Sequence, residues 1–309
     1  MKKVIFVGGT SFSGSTFFHM TLANDPKGFA VGESRWLFNP HRSYHVNRLC
    51  GCGDENCQVW PQVYKNGSDR LFDSIFDQFP EVEFIVDSSK NPFWIAKQMD
   101  ILQKRGIETE NIIIWKTPLE FANSSKKRNR FENWDSEWIN YHRLYFSLIQ
   151  NWKGVKYYDL VNDEATLKKA CAYLGIPYFA DKESYWNRTH HSFGGSLSAR
   201  FHLHDRTVAQ KRYLDHSHDK QRMSLYRKVY YTGVEDEDVQ KLVEDKLEQS
   251  GYFEAILDAF NAQSVLHEGA SSQILSDVQL SFPMVELRRM KHLLRDQVAK
   301  YRYGRYINY

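Results

Sequence analysis

An α/β fold, a parallel sheet with helices on both faces, is predicted by three features of the sequence. Short apolar runs alternate with stretches of helical periodicity. A glycine- and serine-rich loop stands directly between the first apolar run and the first helical stretch. The polar clusters able to do chemistry come just after apolar runs, at the strand ends where parallel sheets bind ligands.

The elements follow in order. Residues 4–7 read as a first buried strand and 17–23 as the helix after it. Residues 84–86 give a second strand, followed by a helix over 92–104 that opens on Pro92. Residues 112–115 are a third strand, again followed by a polar helix start. Residues 156–158 are a fourth, and 163–174 after it space Leu167, Ala170, Cys171 and Leu174 on one helical face. Residues 235–262 are a further helical region. Residues 263–280, with Gly269-Ala270-Ser271-Ser272, read as a linker. Residues 281–309 differ in composition, with seven basic and two acidic residues. There Leu287, Met290, Leu294, Val298 and Tyr301 recur at helical spacing between the basic residues, as in a basic amphipathic helix. Such a helix packs on its own domain, pairs with a second subunit, or touches an anionic membrane surface; packing or dimerisation is the reading adopted. The expected organisation is an α/β domain over 1–262, a linker over 263–280 and a helical tail over 281–309.

Composition narrows the classes. The 309 residues are 42% apolar and 26% charged, ordinary for a globular chain with ample core. The aromatic share of 15% reads mainly as a Tyr- and Phe-rich core. A net charge of only +3 does not indicate a general nucleic-acid binder. Met1-Lys2-Lys3 runs straight into an apolar run too short for a secretory signal, and nowhere do about 20 apolar residues follow one another, so a soluble cytoplasmic protein is expected. Four cysteines are too few for a disulfide scaffold of this size.

The strongest motif is Gly9-Thr-Ser-Phe-Ser-Gly-Ser-Thr16. Between a strand and a helix, such a loop wraps an anion with backbone N–H groups at the positive end of the helix dipole. Its spacing is that of the nucleoside-triphosphate loop, but Ser15 stands where that loop carries its lysine. The lysine normally reaches the β- and γ-phosphates, so its loss argues against an ATPase or kinase. It fits a nucleotide whose single 5′-phosphate carries sulfate.

Three further groups stand at predicted strand ends. Glu33, after Gly32, is a carboxylate close to the anion loop and a candidate general base. Lys90, in Asp87-Ser-Ser-Lys90-Asn-Pro92, stands at a strand-to-helix junction, where a cation can neutralise charge on a leaving phosphate. Lys116, followed eight residues on by Ser124, places a cation and a hydroxyl where they can converge on one phosphate, and Arg128 lies on the same helical face as Ser124.

Taken together, Ser13-Gly-Ser-Thr16 and Gly32-Glu33-Ser34-Arg35 resemble the start of sulfotransferases that use 3′-phosphoadenosine 5′-phosphosulfate (PAPS), in particular the bacterial and tyrosylprotein-sulfotransferase branch. The resemblance implies a P-loop-type parallel sheet with a loop (Phe12, Ser13, Gly14, Ser15, Thr16) that binds the 5′-phosphosulfate. It implies Glu33 as catalytic base and Arg35 as a residue that orients the acceptor or pairs with Glu33. Lys90 matches the family's Lys-x-Pro-Phe lysine, and Lys116, Ser124 and Arg128 match its 3′-phosphate site. PAPS would be the co-substrate and PAP the product, with a hydroxyl-bearing acceptor and no metal assigned to the chemistry. The sequence departs from the family at Phe12 and Lys116, where Arg or Lys and Arg are usual. Lys156-Tyr-Tyr-Asp-Leu160 with Leu174-Gly-Ile-Pro177, and His190-His-Ser-Phe-Gly-Gly195, are similar to late family segments, with Tyr158 for Glu and Ser196 for Asn. A nucleotide kinase with a degenerate loop and a non-catalytic PAP-binding scaffold are the alternatives.

Cys50, Cys52 and Cys57 form C-x-C-x4-C, followed by Trp60. They read as buried thiols or a local disulfide; with His41 or His45 they would make a four-ligand zinc site. Related sulfotransferases carry a similar Cys-rich turn, taken as structural. His19 and His190 are the alternative bases. His202, His204, His216 and His218 show no ligand spacing.

Overall fold

The computed structural model describes residues 2–46, 48–196, 199, 234–267, 276–304 and 307. His202, His204, His216, His218, Gly269-Ala270-Ser271-Ser272 and Arg305 lie outside the described residues.

Among the described residues, one parallel sheet contains β1 (Lys3–Gly8), β2 (Gly28–Gly32), β3 (Phe84–Asp87), β4 (Glu108–Trp115) and β5 (Lys153–Lys156). Their order is β2-β3-β1-β4-β5. The central place of β1 follows from Val4-Ile5-Phe6-Val7, an unbroken apolar run fully buried on both faces. The strand period of two divides it. Val4 and Phe6 join Ile113 and Trp115 in one core, while Ile5 and Val7 join Ile112 and Ile114 in the other.

Helices cover both faces. The second core is closed by α1 (Ser15–Leu22), α8 (Tyr157–Asn162) and α9 (Glu164–Leu174). The first is closed by α3 (Val59–Asn66), α4 (Leu71–Gln78), α5 (Pro92–Gln103), α6 (Pro118–Lys126), α7 (Trp134–Leu148), α10 (Glu237–Gln249) and α11 (Tyr252–Ala262). It absorbs much of the aromatic content, with Phe146 stacked on Trp152 at 4.7 Å and Trp115 on Phe260 at 4.4 Å between ring centres. The short α2 (Arg35–Phe38) sets Leu37 into the first core, and the long α12 (Phe282–Tyr303) is joined to α2 through Asp296 and Arg35.

Helix starts are written locally. The Asn91 side chain accepts from the Trp94 amide at 2.9 Å ahead of Pro92, and Thr117 and Glu120 form a reciprocal capping box ahead of Pro118. Such caps contribute about 1 kcal/mol each. They fix where β3 and β4 stop, and therefore where Lys90 and Lys116 stand.

Three expectations change. The strand over 156–158 ends at Lys156, which pairs with Trp115, the last residue of β4; Tyr157 has no ladder partner there and opens α8. The helical region over 235–262 is two helices, broken where Ser250 turns extended (φ −147°, ψ 112°) before Gly251. Residues 29–31, to which the sequence reading assigned no element, are the middle of β2, an edge strand paired with β3.

The tail helix also turns the other way from a helix packed by its apolar stripe. Met290, Leu294 and Tyr301 are 67%, 62% and 85% exposed, and Leu287 and Val298 face solvent with them. Val285 and Ala299 are the buried residues, and Asp296 on that side meets Arg35. A buried guanidinium left without its carboxylate costs about 3–5 kcal/mol. The polar side of α12 therefore turns inward, and among the described residues the apolar stripe does not pack on its own domain.

Candidate active site

The parallel sheet brings the ends of β1, β2, β3 and β4 to one edge, where the sequence motifs stand. After β1 the chain runs through Gly9 (φ 146°), Phe12 (φ 66°) and Gly14 (φ 94°) into α1. A Cβ on Gly9 would lie 2.6 Å from the Ile114 carbonyl oxygen, and one on Gly14 would strike the Tyr157 ring. The loop is therefore a backbone cradle that only glycine at these two positions permits. Ser13 and Thr10 are buried in it, and their hydroxyl oxygens have no hydrogen-bond partner among the described residues. Thr16 accepts from the Ser196 amide at 2.9 Å.

Glu33 and Lys90 meet at this edge. The Lys90 ammonium donates to Glu33 Oε1, and Trp36 Nε1 donates to Oε2 at 2.9 Å. Burial works to raise the Glu33 carboxyl, but the Lys90 charge and hydrogen bond, with Arg48 and Trp36, outweigh it and hold Glu33 below the usual carboxylate range. Lys90 itself sits in the left-handed region at φ 62°. That conformation costs a non-glycine residue about 1–3 kcal/mol. The surrounding hydrogen bonds over-determine it. Asp87 accepts from the Ser34 hydroxyl and the Ser89 amide, both at 2.6 Å, and the Ser89 hydroxyl accepts from the Arg35 amide at 3.1 Å. Tyr141 accepts from the Gly9 amide and donates to the Lys90 carbonyl, each at 2.7 Å. One buried tyrosine thus ties the loop over 9–16 to the Lys90 turn.

Lys116 and Ser124 also come together, with Nζ donating to Oγ at 3.1 Å. Burial pulls Lys116 down to about 8, opposed by Glu120. Its ammonium lies 4.6 Å from the centre of the Tyr157 ring, the ring that covers Gly14. Arg128 donates to the Ser124 carbonyl at 2.8 Å and lies over the Phe12 ring at 4.3 Å; Arg130 lies over the same ring at 5.5 Å. Phe12 thus gathers two guanidinium groups to the loop by cation–π contact. The loop and strand-end residues singled out in the sequence are brought to one edge of the sheet, with Ser124 on the flanking α6 and Arg128 in the turn after that helix, not on its face as expected.

No protein-family model and no curated protein matches this chain. Solved structures similar to it include two sulfotransferase domains. The sulfotransferase domain from the Synechococcus PCC 7002 olefin synthase is 18% identical over 79% of this chain and 94% of that one, with a TM-score of 0.47. The sulfotransferase domain from the curacin biosynthetic pathway is 15% identical over 80% of this chain and 98% of that one, with a TM-score of 0.45.

Arg35 points away from Glu33. Its guanidinium is 2% exposed and donates to Asp296 of α12 at 2.6 Å, with His41 Nε2 at 3.1 Å. Burial pulls Arg35 down to about 10, with Asp296 opposing. Arg35, Phe93, Trp94, His292, Leu293 and Asp296 line a cavity of about 530 Å³ between α2, α5 and α12. Arg35 and Phe93 are close neighbours in the chain of Glu33 and Lys90.

The histidines hold structural places. His19 is fully buried, bonded to the Ser15 carbonyl at 3.1 Å and the Ser88 hydroxyl at 2.9 Å, and burial takes it down to about 3. His190 bonds the Tyr185 carbonyl at 2.9 Å, and burial takes it down to about 4. His41 turns to Asp296, and His45 stacks on Trp36 at 4.1 Å. Neither joins the cysteines. Sequence reasoning missed Tyr141; Tyr157 and His191 lay inside noted motifs with no role attached.

Proposed function

We propose that this chain is a sulfotransferase that moves a sulfuryl group from PAPS to an acceptor hydroxyl. One observation carries the reading: a carboxylate and an ammonium, Glu33 and Lys90, are paired at the sheet edge beside a phosphate loop that has no lysine of its own. The fit to the donor is supported by the cradle at Gly9 and Gly14, by the two buried hydroxyls of Thr10 and Ser13, and by the Lys116–Ser124 pair with Arg128. In this reading the loop holds the 5′-phosphosulfate and the second group holds the 3′-phosphate.

The transfer balances with these residues. The acceptor oxygen forms a bond to sulfur as the bond from sulfur to the bridging phosphate oxygen breaks, and that electron pair leaves on the phosphate. Lys90 neutralises the leaving oxygen. Glu33 takes the acceptor proton. The ion pair between them supplies a resting state. Donor anion competes for Lys90, frees Oε1 of Glu33 and raises its basicity, while Trp36 keeps the other oxygen in place. Histidine as base is disfavoured, because His19 and His190 are buried with ring nitrogens already bonded to Ser15, Ser88 and Tyr185, and burial makes each a weak proton acceptor. The cavity at Arg35 and Phe93 is the proposed acceptor side.

The kinase reading needs a lysine at position 15 and a carboxylate for magnesium. Asp87, at the end of β3, has both oxygens engaged by Ser34 and Ser89. A screen of phenolic, carbohydrate and lipid hydroxyl acceptors with sulfur-labelled PAPS tests the proposal. Label should appear on one acceptor class. Magnesium-dependent turnover of ATP, or binding of PAP with no transfer to any acceptor, would favour the kinase or the scaffold instead.

A further inference from the structure

The Cys-rich turn after α2 finds its fourth partner across the chain. Cys50, Cys52, Cys57 and His191 place their three sulfurs and one ring nitrogen within 4.8 Å of one another. Cys50 Sγ and Cys57 Sγ each lie 3.4 Å from His191 Nδ1. We propose that these four residues bind a structural zinc ion, which staples the turn over 50–57 to the segment over 190–196.

The geometry is that of a nearly assembled tetrahedron. With Zn–S at about 2.3 Å and Zn–N at about 2.0–2.1 Å, tetrahedral angles put sulfur and nitrogen about 3.6 Å apart and two sulfurs about 3.8 Å apart. Both measured sulfur–nitrogen separations fall close to that edge. A disulfide would use two of the sulfurs and give no reason for the third, or for an imidazole nitrogen aimed at two of them. Three soft thiolates with one imidazole suit zinc, and four protein ligands leave no open position, as in structural sites.

The backbone is shaped for the same end. The turn is Cys-Gly-Cys-Gly, and its glycines have separate reasons. A Cβ on Gly51 would lie 2.8 Å from the His190 carbonyl oxygen and 2.9 Å from the Ser192 amide nitrogen, so only glycine lets the turn approach. Gly51 donates to the Ser192 carbonyl at 2.8 Å, and Gly53 holds φ 81°. The His191 ring packs against Phe29, stacked at 5.9 Å, and Phe79 at 5.4 Å, two rings that are themselves 5.0 Å apart.

The stapled segment leads to the sheet edge. Phe193 donates to the Val31 carbonyl at 2.8 Å and accepts from the Glu33 amide at 2.7 Å. Three residues later Ser196 meets Thr16 of the phosphate loop. The ion would thus fix the strip against which both Glu33 and the loop are built, without touching the reacting atoms.

The test reads metal, so it stands apart from any assay of transfer. Full-length protein purified without chelator should carry one equivalent of zinc by elemental mass spectrometry, and a mercurial thiol reagent should release it. Exchange for cobalt should give the thiolate-to-cobalt charge-transfer band and the visible ligand-field bands of a tetrahedral site. Cys57→Ser and His191→Ala should lose the ion, while Cys171→Ser, remote from the cluster, should keep it. His191→Cys retains four ligands and should also keep it, which separates loss of a ligand from loss of the fold. Wild-type protein that neither carries zinc nor takes it up from a zinc–chelator buffer overturns the proposal, as does a disulfide between any two of Cys50, Cys52 and Cys57, or iron or copper in place of zinc.

Discussion

The Lys90 ammonium donates to the Glu33 carboxylate across the gap between the ends of β3 and β2, and Asp87 holds the two turns that carry them together. In the proposed reaction these groups act on opposite ends of the transferring sulfuryl group. Glu33→Gln keeps shape and hydrogen bonding but takes no proton. Turnover at saturating acceptor should fall by about 10²–10⁴-fold, the usual range for a general base, while 3′,5′-ADP affinity persists or rises as Lys90 is released. Near-normal turnover in steady-state assays would remove Glu33 from the base role.

Lys116 gives a pH dependence with a definite sign. Burial lowers it to about 8, so its charge is present below that pH and is lost above it. Affinity for 3′,5′-ADP should therefore weaken as pH rises past about 8, by up to about tenfold per pH unit for one linked proton. Affinity for 5′-AMP, which has no 3′-phosphate, should stay nearly flat. Parallel profiles for the two nucleotides in a calorimetric pH series would contradict the assignment.

The cradle at the loop admits no side chain at Gly14, where φ is 94° and the Tyr157 ring covers the position. Gly14→Ala should abolish nucleotide binding in a protein whose far-ultraviolet dichroism is unchanged. Retained affinity would show that the anion sits elsewhere.

Asp296 of α12 reaches the buried Arg35, and with it the tail enters the account. Burial works to raise Asp296, but His41, Arg35 and His292 together hold it below the usual carboxylate range. Its contribution to stability is present above the usual carboxylate range and is lost as pH falls through the lowered value. Asp296→Asn should cost about 1–3 kcal/mol at neutral pH, less than the loss of a fully buried partner because Asp296 is 16% exposed. Denaturant melts of the two proteins should converge in acid. Removing residues 281–309 should spare 3′,5′-ADP binding, since the proposed donor elements all precede them, and should change acceptor use by opening the cavity at Arg35.

The strand-end motifs were legible because each is punctuated locally. Glycines mark the loop after β1, and Asn91-Pro92 and Thr117-Pro118 mark the starts of α5 and α6. What could not be read depends on partners far away in the chain. His191 joins cysteines 134 and 141 residues earlier, so His41 and His45, near in sequence, were the visible but wrong fourth ligands. The periodicity of α12 gave its apolar stripe but not its direction, which Arg35 decides from 261 residues away. Phe12 looked like a missing cation, yet its ring collects Arg128 and Arg130.

The central claim is that the sheet edge recognises a nucleotide phosphorylated at both 3′ and 5′ positions. Titration calorimetry of the full chain with 3′,5′-ADP and with 5′-AMP tests it most directly. The account predicts much tighter binding of 3′,5′-ADP, and a Lys116→Ala variant that loses most of that advantage while binding 5′-AMP as before. Equal affinity for the two nucleotides in the wild-type protein would contradict it.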